Sequence, residues 1–187
     1  MLTHFDELFN FTRDNHILWK QSLNFNIIFN KENIMVKQVH LIHAFEQLSA
    51  MDEETDVVKK TALLKKYGSM LPLNYILSMN YRSDVLFDLP EGMPELDLKH
   101  LDMATHPDFV GLLSNEIHKL FYCKTGSAEG KLLKQEKKEQ LFYNLLINCP
   151  IGDAEIVCSA KDKALLELYP SITKEFVASV FPAYVKD

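Results

Sequence analysis

From Cys149 to Pro182 the chain carries two short helical segments with their own start and stop signals, and no other stretch constrains the fold as tightly. The first, Cys149-Pro-Ile-Gly-Asp-Ala-Glu-Ile-Val-Cys-Ser-Ala-Lys-Asp-Lys163, opens on proline and glycine and sets Ile156, Val157 and Ala160 at helical spacing. Gly152-Asp153 is expected to cap it. The second runs from Pro170-Ser171 into Ile172, Phe176, Val177, Val180 and Phe181. Pro182 stops it, because proline lacks the N–H that the next turn needs. A connector of about six to ten residues separates the two. Helices this short are marginal in water and must bury a face against neighbours, so the upstream chain has to supply a scaffold.

The upstream chain reads as such a scaffold. From Met35, apolar residues recur at three- and four-residue steps (Val36, Val39, Ile42, Phe45, Leu48), which predicts an amphipathic helix ending at Met51. Asp52-Glu53-Glu54 and a cap at Thr55 or Asp56 start a second helix with Val57, Val58, Thr61, Leu64 and Tyr67 inward. Gly68 is expected to end it in the left-handed conformation. Ser69 and Pro72 open a third helix bearing Leu73, Ile76, Leu77 and Asn80. Asp84 to Leu96 has two prolines and a glycine within five residues, which forbids helix, while Val85, Phe87 and Leu89 alternate as an extended strip would.

Thr105, with Pro107 and Asp108 in the first turn, is expected to cap a helix whose broad stripe of Phe109, Leu112, Leu113, Ile117, Leu120 and Phe121 would place it centrally. Lys124 to Gly130 reads as a turn. A long helix over 131–148 would then show Leu133, Lys137, Leu141, Leu145 and Ile147 on one face. No repeat and no useful β-period is visible. The expected fold is all-α, a single globular bundle of about six to eight short helices without a sheet.

Residues 1–34 differ from the rest, with six Asn, five Phe, four Ile and the lone Trp19. Two readings stand: an extension upstream of a true start at Met35, with residues 35–187 as the domain, or an ordinary N-terminal helix over about residues 3–20.

The three cysteines, Cys123, Cys149 and Cys158, form no CxxC pair, which argues against a disulfide framework or zinc site and for a reducing compartment. No apolar run reaches the roughly 18 residues of a membrane helix. A cytosolic protein is expected. The net charge of −6 is uneven: residues 35–119 carry 8 Lys and Arg against 13 Asp and Glu, and residues 120–187 carry 9 of each. An electrostatic nucleic-acid binder should be basic. Here the C-terminal third alone could offer a basic face, and the candidate contacts are Lys131, Lys134, Lys138, Lys161 and Lys163.

Several catalytic patterns fail on inspection. His40-Leu-Ile-His43-Ala-Phe-Glu46 puts two imidazoles and a carboxylate on one helical face, yet it lacks the HExxH order and a further ligand, so no metal is expected. Gly126-Ser-Ala-Glu-Gly-Lys131 has three residues between its glycines where a phosphate loop has four, and leucine follows the lysine. No GxSxG, kinase signature or paired catalytic carboxylates in a recognisable frame appear, so neither catalysis nor a cofactor is expected.

The order of segments from residue 44 onward resembles the N-terminal helical DNA-binding domain of ATP-dependent DNA ligases, especially those of T-even-like phages. The resemblance is carried by Val57-Val-Lys-Lys-Thr-Ala-Leu-Leu-Lys-Lys-Tyr67 with the helix from Leu71 and the extended stretch ending in Leu89-Pro90, by Thr125-Gly-Ser-Ala128, and by Asp153-Ala-Glu-Ile-Val157 followed by Ile172-Thr-Lys-Glu-Phe-Val-Ala-Ser-Val-Phe-Pro-Ala183. The chain is also similar to small uncharacterised proteins of large tailed phages. The likeness implies a phage protein in the host cytoplasm, with a duplex-gripping scaffold whose lysine turn meets DNA. The chain departs from the ligases in two respects. The adenylated Lys-x-Asp-Gly motif is absent, and Lys163-Ala-Leu-Leu-Glu-Leu-Tyr-Pro170 replaces the ligases' Leu-Arg-Ile-Gly.

Two functional expectations follow. One is a non-catalytic accessory protein that binds duplex DNA or the replication and repair machinery through those five lysines. The other is a protein-interaction module whose acidic middle (Asp84, Asp88, Glu91, Glu95, Asp97, Asp102) meets a basic host or phage DNA-handling protein.

Overall fold

The computed structural model describes residues 40–51, 56–68, 70–96 and 109–185, all within the unit Lys37–Asp187. The expectations for residues 1–34, for the Thr105 cap and for Asp97 and Asp102 lie outside the described residues. Among the described residues there are eight α-helices: α1 (Leu41–Ser49), α2 (Val57–Tyr67), α3 (Leu71–Tyr81), α4 (Phe109–Glu116), α5 (Gln135–Leu146), α6 (Ile151–Lys161), α7 (Leu165–Leu168) and α8 (Lys174–Val180). Short 3-10 turns occupy Ile117–Cys123, Gly130–Leu132 and Pro182–Tyr184. No strand occurs among these residues beyond an isolated antiparallel bridge between Phe87 and Lys124. The all-α bundle expected from the periodicity is the fold observed.

The helix at the centre is α6. It packs against α3, α1 and α7 and buries Gly152, Asp153, Ala154, Ile156, Val157, Cys158, Ala160 and Lys161. Its small residues explain its place, since they let neighbouring backbones approach. A Cβ at Gly152 would stand 2.3 Å from Ile42 Cδ1 on α1. The broad stripe at 109–121 suggested a different centre, but that segment tightens from α-helix to 3-10 at Ile117. Around α6 lie Phe45, Leu48, Leu73, Ile76, Leu77 and Leu165, all fully buried. Each contributes roughly 1.5–3 kcal/mol through burial.

Local start and stop signals are corrected in four places. Gly68 is right-handed (φ −62) rather than left-handed; it is needed for space, since a Cβ there would meet the Phe181 ring at 2.1 Å. The long helix begins at Gln135, not 131, because Ser127 Oγ accepts the Gly130 N–H at 3.0 Å and closes a turn ahead of it. Its buried face is Lys138, Phe142, Leu145 and Leu146, so Lys137 points to solvent. The connector between α6 and α8 contains the extra turn α7, whose Leu165 N–H donates to Asn80 Oδ1 at 3.1 Å. Finally, Asp153 does not cap its own helix, which starts at Ile151; its Oδ1 accepts the Ile42 N–H of α1 at 2.9 Å.

Thr173 behaves as a local cap, accepting the Phe176 N–H at 3.1 Å. Elsewhere long polar side chains tie distant elements together. Buried Lys60 donates to the Ser171 carbonyl at 2.8 Å, and the Tyr81 hydroxyl donates to the Ile172 carbonyl. No described helix is long and apolar enough to cross a membrane.

Candidate functional site

The five lysines set out as nucleic-acid contacts do not share a free basic face. Lys131 and Lys134 are exposed, flanking the turn before α5. The other three face inward. Lys138 is buried and pairs with Asp88 at 2.9 Å. Lys161 is buried, donates to the Pro90 carbonyl at 2.7 Å and also to Asp162 Oδ1, and lies 5.8 Å from the centre of the Phe142 ring. Lys163, at φ +64, donates to the Met79 carbonyl and, at 2.8 Å, to the Arg82 carbonyl. Burial pushes its amine down to about 8.

The acceptors of these lysines have one thing in common. Apart from Asp162, which neighbours Lys161 in the chain, each belongs to residues 82–96 or to the end of α3 that leads into them. An irregular segment cannot satisfy its own carbonyls, so other elements must supply donors. An ammonium with three N–H groups on a flexible stem suits that task. Asp88 illustrates the result. It accepts from Thr125 Oγ1 at 2.7 Å and from Lys138, and these bonds hold its carboxyl below the usual range. The backbone adds two bonds beside it, Asp88 N to the Cys123 carbonyl and Thr125 N to the Leu86 carbonyl, both 2.8 Å. Gly92, with φ +76, turns its N–H onto Asp162 Oδ2 at 2.8 Å. Arg82 grips Asp84 with two bonds of 2.8 and 2.7 Å, which lowers the Asp84 carboxyl.

The pinned loop stands across α5 and leaves a cleft of about 340 Å³ between them. Pro90, Glu91, Gly92 and Pro94 form one wall. Glu136, Glu139, Gln140 and Tyr143 line the other, with buried Phe142 at the base. Gln135 Nε2 donates both to the Asp88 carbonyl (3.1 Å) and to Glu139 Oε1 (2.8 Å), which fixes Glu139 relative to the loop. No described Lys or Arg pairs with Glu91, Glu136 or Glu139. Carboxylates beside aromatic faces attract an organic cation and repel phosphate.

The remaining sequence candidates are placed as follows. His43 Nδ1 lies 3.4 Å from Glu46, on the surface, and His40 Nδ1 lies 3.5 Å from Asp153. No group of three metal-ligating side chains occurs among the described residues. All three cysteines are buried, and burial pushes their thiols up, Cys123 to about 11 and Cys158 to about 12. They are poor nucleophiles in the folded chain. In the acidic middle, Glu91 and Glu95 are exposed, Asp84 is exposed but gripped by Arg82, and Asp88 is turned into its ion pair.

Glu136 and Glu139 were not among the residues singled out from the sequence, and nothing local joins them to the Pro90 loop. One signal was available, the i, i+3, i+7 spacing of Glu136, Glu139 and Tyr143, which puts them on one side of a helix. That the loop crosses that side is a tertiary fact.

Neither the curated proteins nor the solved structures include a match to the chain. The family described as "Family of unknown function (DUF6433)" matches residues 47–167, from within α1 to α7, a span that takes in the loop, α5 and all five lysines. This chain is therefore a member of the DUF6433 family.

Proposed function

We propose that this chain is a non-catalytic helical protein-interaction module whose acidic loop and cleft engage a basic partner, a host or phage DNA-handling protein in the host cytoplasm. One observation carries the reading. Lys138, Lys161 and Lys163 are engaged by Asp88, Pro90, Met79 and Arg82, while Glu91 and Glu95 face solvent. The cations that would neutralise phosphate are thus used to build the surface that presents the anions. A duplex binder needs several free cations in register along the backbone, and of the five candidates Lys131 and Lys134 alone are exposed. An acid-lined loop speeds association with basic partners and rejects acidic ones. The ligase-like order of segments is compatible with this reading, as a scaffold turned from nucleic acid to the proteins that handle it.

The test sets the full chain, immobilised, against duplex DNA and against purified basic DNA-handling proteins at low salt. Retention of a basic protein is expected, weakening as salt rises and abolished by Glu91→Lys with Glu95→Lys. Retention of duplex DNA, lost on Lys131→Gln with Lys134→Gln, would overturn the reading in favour of nucleic acid.

A further inference from the structure

The cleft between the Pro90 loop and α5 is more selective than an acidic surface. Its carboxylates are of two kinds: Glu139, held by Gln135, and Glu91 and Glu136, which no described cation neutralises. They stand beside two aromatic side chains, buried Phe142 and half-buried Tyr143. The loop wall is already fixed, because Lys161 holds the Pro90 carbonyl and Asp162 holds the Gly92 N–H. A ligand therefore meets a loop backbone that is already in place.

Resting on the protein-interaction reading, we propose that this cleft receives an arginine side chain from an extended segment of the partner, with the guanidinium between Glu136 and Glu139 and against Tyr143. Charge complementarity selects a cation. Arginine is favoured over lysine because its planar, weakly hydrated fork matches paired carboxylates and stacks on aromatic rings, whereas an ammonium is a strongly hydrated point charge. The size of the cleft selects the form of the segment. At about 340 Å³ it is at the small end of ligand pockets and takes one or two side chains. A helix, roughly 10–12 Å across, would not enter it. Prolines at 90 and 94 stiffen the rim and remove two N–H groups from it, so the contact is made by side chains rather than by strand addition.

The experiment uses the isotope-labelled full chain with short Gly/Ser peptides carrying two arginines, two lysines or two citrullines. The arginine peptide is expected to shift the amides of Glu91–Met93 and Glu136–Tyr143 and to bind several-fold tighter than the lysine peptide. The neutral citrulline peptide should show no saturable shift. Glu136→Gln with Glu139→Gln should weaken the arginine peptide by about five-fold or more while leaving the melting temperature and helical circular dichroism unchanged, since neither residue is buried. Three results would overturn the proposal: equal binding of lysine and arginine peptides, citrulline binding as tight as arginine, or saturable shifts confined to another surface. In the last case the acidic module survives and the cleft does not. If neither the peptides nor the basic proteins bind, both readings fail together, and a short DNA duplex shifting the amides around Lys131 and Lys134 would point to nucleic acid instead.

Discussion

The carboxylate of Asp153 accepts the backbone N–H of Ile42 at 2.9 Å, so the N-terminus of α1 is capped by a residue 111 positions later. The second oxygen lies 3.5 Å from His40 Nδ1. The side chain is almost fully buried, and the site combines a satisfied orphan N–H with a negative charge at the positive end of a helix. Asp153→Ala should cost about 1–2 kcal/mol, the usual range for a lost cap. Asp153→Asn keeps an acceptor and should cost less. Chemical denaturation of both variants checks the difference.

The same carboxyl has a pH signature. Burial raises it above its ordinary value of 3.8, and the Ile42 N–H bond and the nearby His40 imidazole oppose that without cancelling it. Above 3.8 the folded chain then binds this proton more readily than the unfolded chain. Its contribution is present at low pH and is lost as pH rises through the folded value. Parent stability should therefore gain on Asp153→Asn as the solution is acidified from neutral. Asp88 has the opposite sign. Its carboxyl is lowered by Thr125 and Lys138, so its contribution is present above 3.8 and lost as pH falls through the lower folded value. Asp88→Asn should flatten the acid limb of the stability curve, and the paired pH titrations of the two variants test both signs.

Lys138 is a staple for the loop rather than a surface charge. Lys138→Met keeps the buried stem and removes the bond to Asp88. Asp88 is 37% exposed, so water replaces the ammonium, and the global cost should be about 1 kcal/mol. The local effect should be larger: hydrogen exchange at the Asp88 and Thr125 amides, which bond the Cys123 and Leu86 carbonyls, should speed up several-fold more than at α6 amides.

Gly152 reports how closely α1 and α6 approach. An added methyl would sit 2.3 Å from Ile42 Cδ1 and 3.2 Å from Ile42 Cγ1. Gly152→Ala should cost about 1–3 kcal/mol by overpacking. Combining it with Ile42→Ala should recover part of that, because the two groups compete for one space. A double-mutant cycle by thermal denaturation measures the coupling, and strict additivity would contradict the contact.

The buried thiols provide a readout of opening. Cys123, Cys149 and Cys158 are at most 4% exposed, and burial raises each thiol. Labelling by a thiol reagent at neutral pH should be negligible in the folded chain and complete in denaturant. Substitutions that loosen the core, such as Ile156→Ala, should accelerate it in proportion to the stability lost.

Much of the helical architecture was legible from spacing. Leu64 and Tyr67 on α2, Leu73, Ile76 and Leu77 on α3, and Ile156, Val157 and Ala160 on α6 are buried as their periods require, whereas Val57 and Val58 in the first turn of α2, expected inward, are exposed. The extended strip was legible too, with Val85, Phe87 and Leu89 turned partly inward and Leu86 outward. The lysines were not. Lys137 and Lys138 are chemically identical neighbours, and spacing put the first on the inner face. The second is inside because Asp88, 50 residues away, is there to receive it. Gly68 and Asp153 were misjudged for the same reason, as each answers a partner on another element, the Phe181 ring and the Ile42 N–H.

The stretch from Cys149 to Pro182 shows where the two kinds of information divide. Apolar period, proline stops and the Thr173 cap are local properties of the chain, so sequence alone determined that this region is helical and that the domain is all-α. Which helix lies at the centre, what Asp153 caps and which carbonyls Lys161 and Lys163 hold depend on groups 71 to 111 residues distant. Tertiary structure decided those, because a buried charge goes wherever an unsatisfied backbone or side-chain partner lets it be desolvated at least cost.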